Sequence, residues 1–486
     1  MQGKLTTGVT RVLLALGAAF FAWTAIQAWR NTTAQWTGSP GATAGLLLLA
    51  AAVLLLLGFA VNRYLSRVQA VAVLVVLAAG VRLWWIAYVD TQPVSDFLDM
   101  YTAARQAARG DFSFGTSDYF TRWVYQLGFT LYEGFVLRLF GDHLLVLKLF
   151  NVIFNTGIVL LVYAIAAKVF GEWCGRAAGL SFALYVPQIM MCSVLTNQHI
   201  STFFFFLGAY LCVVEHNRPS AYRWALIGGC FALGNLMRPL GSVFVAGYLA
   251  FVVLYGLWAR RADAGPVWRR LAAAVGVVAV YFALLQSTSW ALQATGVTPY
   301  PLSNPEPYWK FMVGVNPETT GGWSQADTDY VLQYPLGEAR DEAERRLFLE
   351  RLEDKPALAR LLLRKLEVMW GAEDSAFMWS LWQQDRPRLQ RLAIQGERVG
   401  YLLAAGFGFI AMAARLFARR RDPEDESLFP LLLILLLGYA AIHIAIEIQT
   451  RYRMDMMPGL FILQSYGVYW LGARLTGGHK PTNSTP

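Results

Sequence analysis

An all-α protein that crosses a membrane about twelve times is the fold class this sequence predicts, and three observations predict it. Of its 486 residues, 56% are hydrophobic and only 15% are charged, whereas a soluble domain carries about 25% charged residues. Mean hydropathy is +0.41. The apolar residues gather into runs of about 18–20, enough for a helix to cross the hydrocarbon core with every backbone group bonded internally. An ordinary cytosolic enzyme, a disordered chain and a disulfide scaffold are excluded. The net charge of +9 would suggest an acidic partner such as nucleic acid in a soluble protein. In a membrane protein it has to be located first.

The runs fall at residues 10–29, 43–62, 69–89, 144–167, 177–194, 199–214, 224–238, 240–258, 271–293, 399–418, 428–446 and 456–473. The pair around Met237-Arg238-Pro239 is short and proline-broken, so the count is open there by about one or two. The first run has no small-residue cleavage site and more spans follow, so it reads as a helix and not a leader. Cys174, Cys192, Cys212 and Cys230 lie in or beside apolar runs without metal-ligand spacing, and read as small buried hydrophobes.

Orientation comes from Lys and Arg in short loops. With the N-terminus in the cytoplasm, about 18 basic residues fall inside, among them Arg63, Arg67, Lys168, Arg176, Arg218, Arg223, Arg260, Arg261, Arg269, Arg270 and Arg419-Arg420-Arg421. The short outer loops hold about eight, including Arg105, Arg109, Arg122, Arg238, Arg451 and Arg453. This organisation gives two N-terminal spans (1–68), a membrane core (69–293) with an outer loop at 90–143, an outer segment (294–397), and C-terminal spans with a short cytoplasmic tail (398–486). The segment 294–397 holds 12 basic and 16 acidic residues and has helical periodicity from Asp341 to Leu366. It reads as a small, mainly helical subdomain on the membrane surface. The tail His479–Pro486 reads as disordered.

Chemistry concentrates in the outer loops. Asp96 and Asp99 stand three apart just beyond a span, and share a face if Ser95 caps a helix there. They fit a general base towards a hydroxyl or a divalent-cation ligand, and equally helix-start acids favoured by the dipole. Arg122, among Tyr119, Phe120, Trp123 and Tyr125, suits either a phosphate or an aromatic belt. Arg451 and Arg453, on the side that should be poor in arginine, call for an anionic ligand or for salt bridges to Glu447 or Asp455. Arg238 adds a cation at the proline break. Asn197, Gln198 and His199 form a polar outer turn, in which a histidine is more often structural. His443 lies inside a span, where a neutral interhelical hydrogen bond is the commoner role.

Together these pieces resemble the GT-C superfamily of membrane glycosyltransferases, of the protein O-mannosyltransferase and lipid A aminoarabinose-transferase type. The matching residues are Ser95-Asp96-Phe97, Arg122 with Gly141-Asp142, Leu236-Met237-Arg238-Pro239, the stretch Val313–Trp323 with Asn316 and Asp327, and Glu447 with Arg451-Tyr452. The order and spacing agree over residues 69–473, so the first two spans are an addition. There are departures. Phe97 follows Asp96 where relatives often carry a second carboxylate, Asn197-Gln198 stands where many place an acid, and Trp123-Val124 replaces a double proline.

The resemblance implies inverting transfer of a sugar from a polyprenyl-phosphate donor to a cell-envelope glycan, lipid or protein acceptor, on the extracytoplasmic face of a bacterial plasma membrane. Asp96, with Asp99, would be catalytic. Arg122, Arg451, Arg238, Tyr452 and Lys310 would bind the donor phosphate, with Arg364 and Lys365 in second rank. Glu447, Asn197, Gln198, His199 and Asn316 would line the acceptor cavity. No cofactor is firmly implied; a divalent cation, if used, would sit on Asp96 and Asp99. Membrane lipids are expected partners and nucleic acid is not. The rival class is a transporter or flippase of lipid-linked sugars. Such proteins place ionisable groups near the bilayer midplane, where only Arg82, Lys148 and His443 qualify here.

Overall fold

A computed structural model describes residues 2–35, 40–217, 222–257, 266–418 and 428–476. The expected inner charges Arg218, Arg260, Arg261 and Arg419–Arg421, and the tail from His479, lie outside the described residues.

Among the described residues the chain is helical throughout, with no strand. The helices are α1 (Gln2–Gln35), α2 (Pro40–Tyr64), α3 (Arg67–Tyr88), α4 (Asp96–Ala108), α5 (Asp118–Arg122), α6 (Leu127–Phe140) and α7 (Leu144–Phe170). There follow α8 (Glu172–Ala183), α9 (Val186–Met190), α10 (Gln198–Asn217), α11 (Arg223–Met237), α12 (Gly241–Phe251) and α13 (Val267–Ala294). Short helices α14 (Trp309–Gly314), α15 (Gln325–Val331), α16 (Glu338–Arg351), α17 (Lys355–Gly371) and α18 (Ala376–Ser380) precede α19 (Pro387–Leu416), α20 (Phe429–Ala445) and α21 (Met457–Leu475). It is an all-α polytopic membrane protein.

Seven of the described helices (α1, α2, α3, α7, α10, α13 and α19) are long and apolar enough to cross a membrane, and α12 and α20 are shorter apolar helices. The remaining expected runs are helical but do not reach that length and hydropathy. The run 177–194 is not one span. It breaks after Ala183, because Pro187 sits in the first turn of α9 and cannot donate to a continuing helix. The α8 segment, at 12 residues, rises only about 18 Å against a core of about 30 Å.

Packing joins distant parts of the chain. The N-terminal α1 lies along α19 and α17, α19 along α21, and α21 along α8 and α7. Large side chains such as Phe21, Phe182, Phe205, Tyr401 and Tyr439 fill the centre. The exposed leucines of α2, Leu48, Leu49 and Leu56, form the apolar face such a helix presents to lipid. The starts of α7, α10, α12, α19 and α21 meet the ends of α3, α11, α13 and α20 at one end of the bundle. There α4–α6 and α14–α18 gather, with α17 and α10 against the 3-10 turn Thr450–Asp455 and α18 against the turn Met191–Ser193.

Candidate active site

The site is built on three segments brought to that end: the start of α4, the aromatic stretch of α5 and residues 123–126, and the turn Glu447–Asp455. Two close approaches lock them. A Cβ on Gly128 would lie 1.9 Å from the Leu236 carbonyl oxygen, so only glycine lets α6 meet the end of α11 beside Arg238. A Cβ on Gly314 would fall 2.5 Å from the Ile446 carbonyl carbon. Its absence lets the Glu447 amide donate to the Lys310 carbonyl at 2.8 Å and the Ile448 amide to Gly321 at 2.8 Å.

Ser95 takes the position before α4 but does not cap it with its side chain, as the sequence suggested it would. Its backbone has φ 52 and ψ −141, a conformation that L side chains adopt only at a cost. The effect is to point the first turn, with Asp96 and Asp99, into solvent, while Phe97 is buried against Trp379 at 5.2 Å. Partial burial, then the neighbouring Asp96 charge, hold the Asp99 carboxyl above its ordinary range.

The guanidinium of Arg451 lies 5.2 Å over the Phe97 ring, 4.9 Å from Trp379 and 5.6 Å from Tyr452. Its Nε donates to Gln449 Oε1 at 2.7 Å, and among the described residues no carboxylate pairs with it. Gln449 in turn donates to Glu447 at 2.9 Å, and Glu447 is ion-paired with Lys310. Burial pushes the Glu447 carboxyl up, but Lys310 and Gln449 outweigh it and hold the group below its usual range. Lys310 also lies 5.9 Å from the Tyr452 ring.

Arg238 is spoken for. It donates to Asp455 at 3.2 Å and to Asn197 at 3.2 Å, and stacks 5.1 Å over Tyr452. Asp455 also accepts from Tyr439 at 2.9 Å and from Gln198 at 3.1 Å. Arg453 turns the other way, between Asp374 at 3.5 Å and Glu397 at 3.9 Å, wholly buried. Among the described residues, neither arginine pairs with Glu447 or Asp455, the acids nearest in the sequence, because Lys310 and Arg238 already hold those.

Arg122 donates to Glu306 at 2.6 Å, which also accepts from Arg340 at 2.8 Å, and is sandwiched 4.7 Å from Trp123 and 4.4 Å from Trp309. It borders the site through Trp123 and Tyr125, with its charge already met. Asn316 holds a turn, donating to Asp327 at 2.9 Å and accepting from the Glu318 amide at 2.9 Å. Arg351 grips the same Asp327 at 2.6 Å. His199 is fully buried between Asn155 at 2.6 Å and the Met191 carbonyl at 2.8 Å.

Other cations stand elsewhere. Lys365 donates to the carbonyls of Gly314, Ile444 and Ile446 at 2.6, 2.7 and 2.8 Å. Arg364 is exposed. Lys148 pairs with Asp90 at 3.7 Å, and Arg82 is buried, donating to the carbonyls of Ala78 and Ala183 at 3.0 Å each. His443 contacts the Tyr439 carbonyl at 2.8 Å. Among the described residues no group of three or more His, Cys, Asp or Glu is placed to hold a metal ion.

Sequence reasoning did not single out Tyr119, Tyr125 or Trp379. The Asp96 charge acts on both phenols. Burial, with Asp96 and Asp99, raises Tyr119 well above its ordinary pKa, and burial against the opposing Lys310 charge brings Tyr125 to about 12. The signal available was the density of aromatics around Arg122.

Residues 129–285 match the family of dolichyl-phosphate-mannose-protein mannosyltransferases, so over α6–α13 the chain is similar to GT-C type glycosyltransferases. The match contains Arg238 and leaves out Asp96, Arg122 and Arg451. No curated protein matches the sequence. Among solved structures, the archaeal oligosaccharyltransferase AglB from Archaeoglobus fulgidus, in complex with an inhibitory peptide and a dolichol-phosphate, has 13% identity and a TM-score of 0.34, with 82% of this chain and 56% of that one covered. The apo form of the A. fulgidus enzyme has 14% identity and a TM-score of 0.35, with 84% and 57% covered. The chain thus spans a little over half the length of those structures.

Proposed function

We propose that this protein is an integral-membrane glycosyltransferase that moves a sugar from a polyprenyl-phosphate carrier to an acceptor hydroxyl, with inversion. The observation that carries the reading is the pairing of an exposed carboxylate with an uncommitted guanidinium at one end of a membrane bundle. Asp96 directly precedes Phe97 in the chain, and Arg451 lies 5.2 Å over the buried Phe97 ring. The match to a mannosyltransferase family supports it.

In this reaction the acceptor O–H proton passes to the Asp96 carboxylate as its oxygen attacks the anomeric carbon. The bond from that carbon to the phosphate oxygen breaks, and its electron pair leaves with the phosphate. Arg451 meets the charge that develops there. Lys310 and Arg238, paired with Glu447 and Asp455, hold Tyr452 and the turn that carries Arg451 in place. The excess of Lys and Arg in the loops read as cytoplasmic supports a site on the non-cytoplasmic side.

The test is transfer of labelled sugar from polyprenyl phosphate in membranes carrying the protein. Asp96→Asn should lower kcat by about 10²–10⁴ while the protein stays folded. Full activity in that variant removes Asp96 as the base. Uptake of the substrate with no covalent transfer by the wild type would make the protein a transporter.

A further inference from the structure

Tyr119 has no role in the reading so far. Its ring packs on the buried cluster that contains Phe97 of α4 and Met454 of the turn Thr450–Asp455. It lies near enough to both segments for the charges of Asp96 and Arg451 to act on it. The ring also meets Phe120 edge-on at 5.0 Å, which fixes its direction.

The Tyr119 hydroxyl is shut off from the surface and has no hydrogen-bond partner among protein groups. Native structures rarely leave such a group unpaired, and those that do call for an explanation. Asp96 and Asp99 are close enough for their charges to act on the phenol, yet neither accepts from it. Arg451 acts on it from the other side, with both terminal nitrogens uncommitted.

Given the glycosyltransferase reading, on which this rests, we infer that donor binding uncovers the Tyr119 hydroxyl, which then donates a hydrogen bond to a phosphate oxygen of the lipid carrier held by Arg451. A phosphate offers several oxygens, so one oxygen can face the guanidinium and another the phenol. Burial beside two carboxylates keeps the phenol protonated at any working pH. The hydroxyl is thus a constant donor and no rival to Asp96 as base. As the anomeric bond breaks and charge grows on the phosphate, the hydrogen bond strengthens, which favours the transition state over the bound donor.

Tyr119→Phe removes the hydroxyl and keeps the ring. Purified wild type and variant are titrated with a sugar-free polyprenyl phosphate and, as a control, with the matching polyprenol. The phosphate should bind about tenfold more weakly to the variant, the polyprenol equally to both, and the transfer rate should fall by at least as much. Equal phosphate binding in both proteins overturns the inference. A wild type that binds the phosphate but transfers no sugar overturns the glycosyltransferase reading and leaves the Tyr119 contact standing. If Tyr119→Phe fails to fold, 3-fluorotyrosine at position 119 keeps the hydroxyl and reports the contact by fluorine NMR. Its signal should move on adding the polyprenyl phosphate and not on adding the polyprenol, and a signal that does not respond to the phosphate overturns the inference.

Discussion

Arg451 and Arg453 sit two positions apart in one turn and have opposite surroundings. Arg453 is wholly enclosed, with Asp374 and Glu397 close by, the Ala372 carbonyl at 2.9 Å and the Tyr401 ring at 4.6 Å. Burial, opposed by the Arg453 charge, pushes the Asp374 carboxyl up to about 6. Removing the arginine leaves the buried Asp374 without its cation, while Glu397 keeps Arg398 at 2.7 Å, so Arg453→Ala should destabilise the protein by about 3–5 kcal/mol, read as a fall in melting temperature in detergent. Arg451→Ala should leave melting nearly unchanged and lower kcat/KM by about 10²–10³. Equal effects of both changes on melting would contradict the division of labour drawn here. The sequence showed two unexplained arginines. It could not tell them apart, because their partners lie 56 and 79 residues earlier in the chain for Arg453 and are aromatic rings for Arg451.

At the scale of elements, α16 shows how the outer segment is fastened. Arg122 of α5 and Arg340 of α16 converge on Glu306, and Asp341 and Glu344 stand in the same cluster. Glu344 is fully buried and neither of its oxygens has a hydrogen-bond partner among protein groups. Two guanidinium groups face three carboxyls, and the cluster is neutral only with one acid protonated. Burial, with the charges of Glu306 and Asp341, raises Glu344 to about 8 against the opposing Arg122 and Arg340.

A carboxyl raised in the folded state binds its proton more tightly there than in the unfolded chain. Its contribution to stability is complete below the ordinary Glu pKa of about 4.3 and is lost as pH rises through about 8. Melting temperature should therefore fall between about pH 4 and pH 8, the window that this shift spans. Glu344→Gln should remove that part of the fall. A Glu344→Gln profile that declines as steeply as the wild type would assign the pH dependence elsewhere. The helix α16 was legible from its periodicity, and Arg122 stood out among aromatics. Its pairing with Glu306, 184 residues away, was not.

For the whole molecule, the +9 charge was the ambiguous figure. Residues 294–397 carry a balance of about −4 and the remainder about +13, much of it in the loops that the sequence assigns to the cytoplasm. That distribution sets an orientation, and it is open to labelling. The four native cysteines are buried, so an impermeant thiol reagent should be silent on the wild type. Ser303→Cys, at an exposed position among the outer segments, should react from the non-cytoplasmic side, and Ser66→Cys, exposed between α2 and α3, only after the membrane is opened. The reverse pattern would put the site in the cytoplasm.

The sequence by itself determined that the chain is helical and crosses a membrane many times. It also determined where the polar ends of those helices lie. These are local properties: a run of apolar residues long enough for the hydrocarbon core must bond its own backbone wherever it sits. Helix breaks came less securely, since the run 177–194 hid the stop that Pro187 imposes. Only the tertiary structure decided which outer charges are neutralised and which are left to act. Arg122, Arg238, Arg453 and Lys310 each meet a carboxylate brought from far along the chain, whereas Arg451 meets aromatic rings and an amide. A guanidinium's role is set by what lies within a few ångströms of it, and packing alone supplies that.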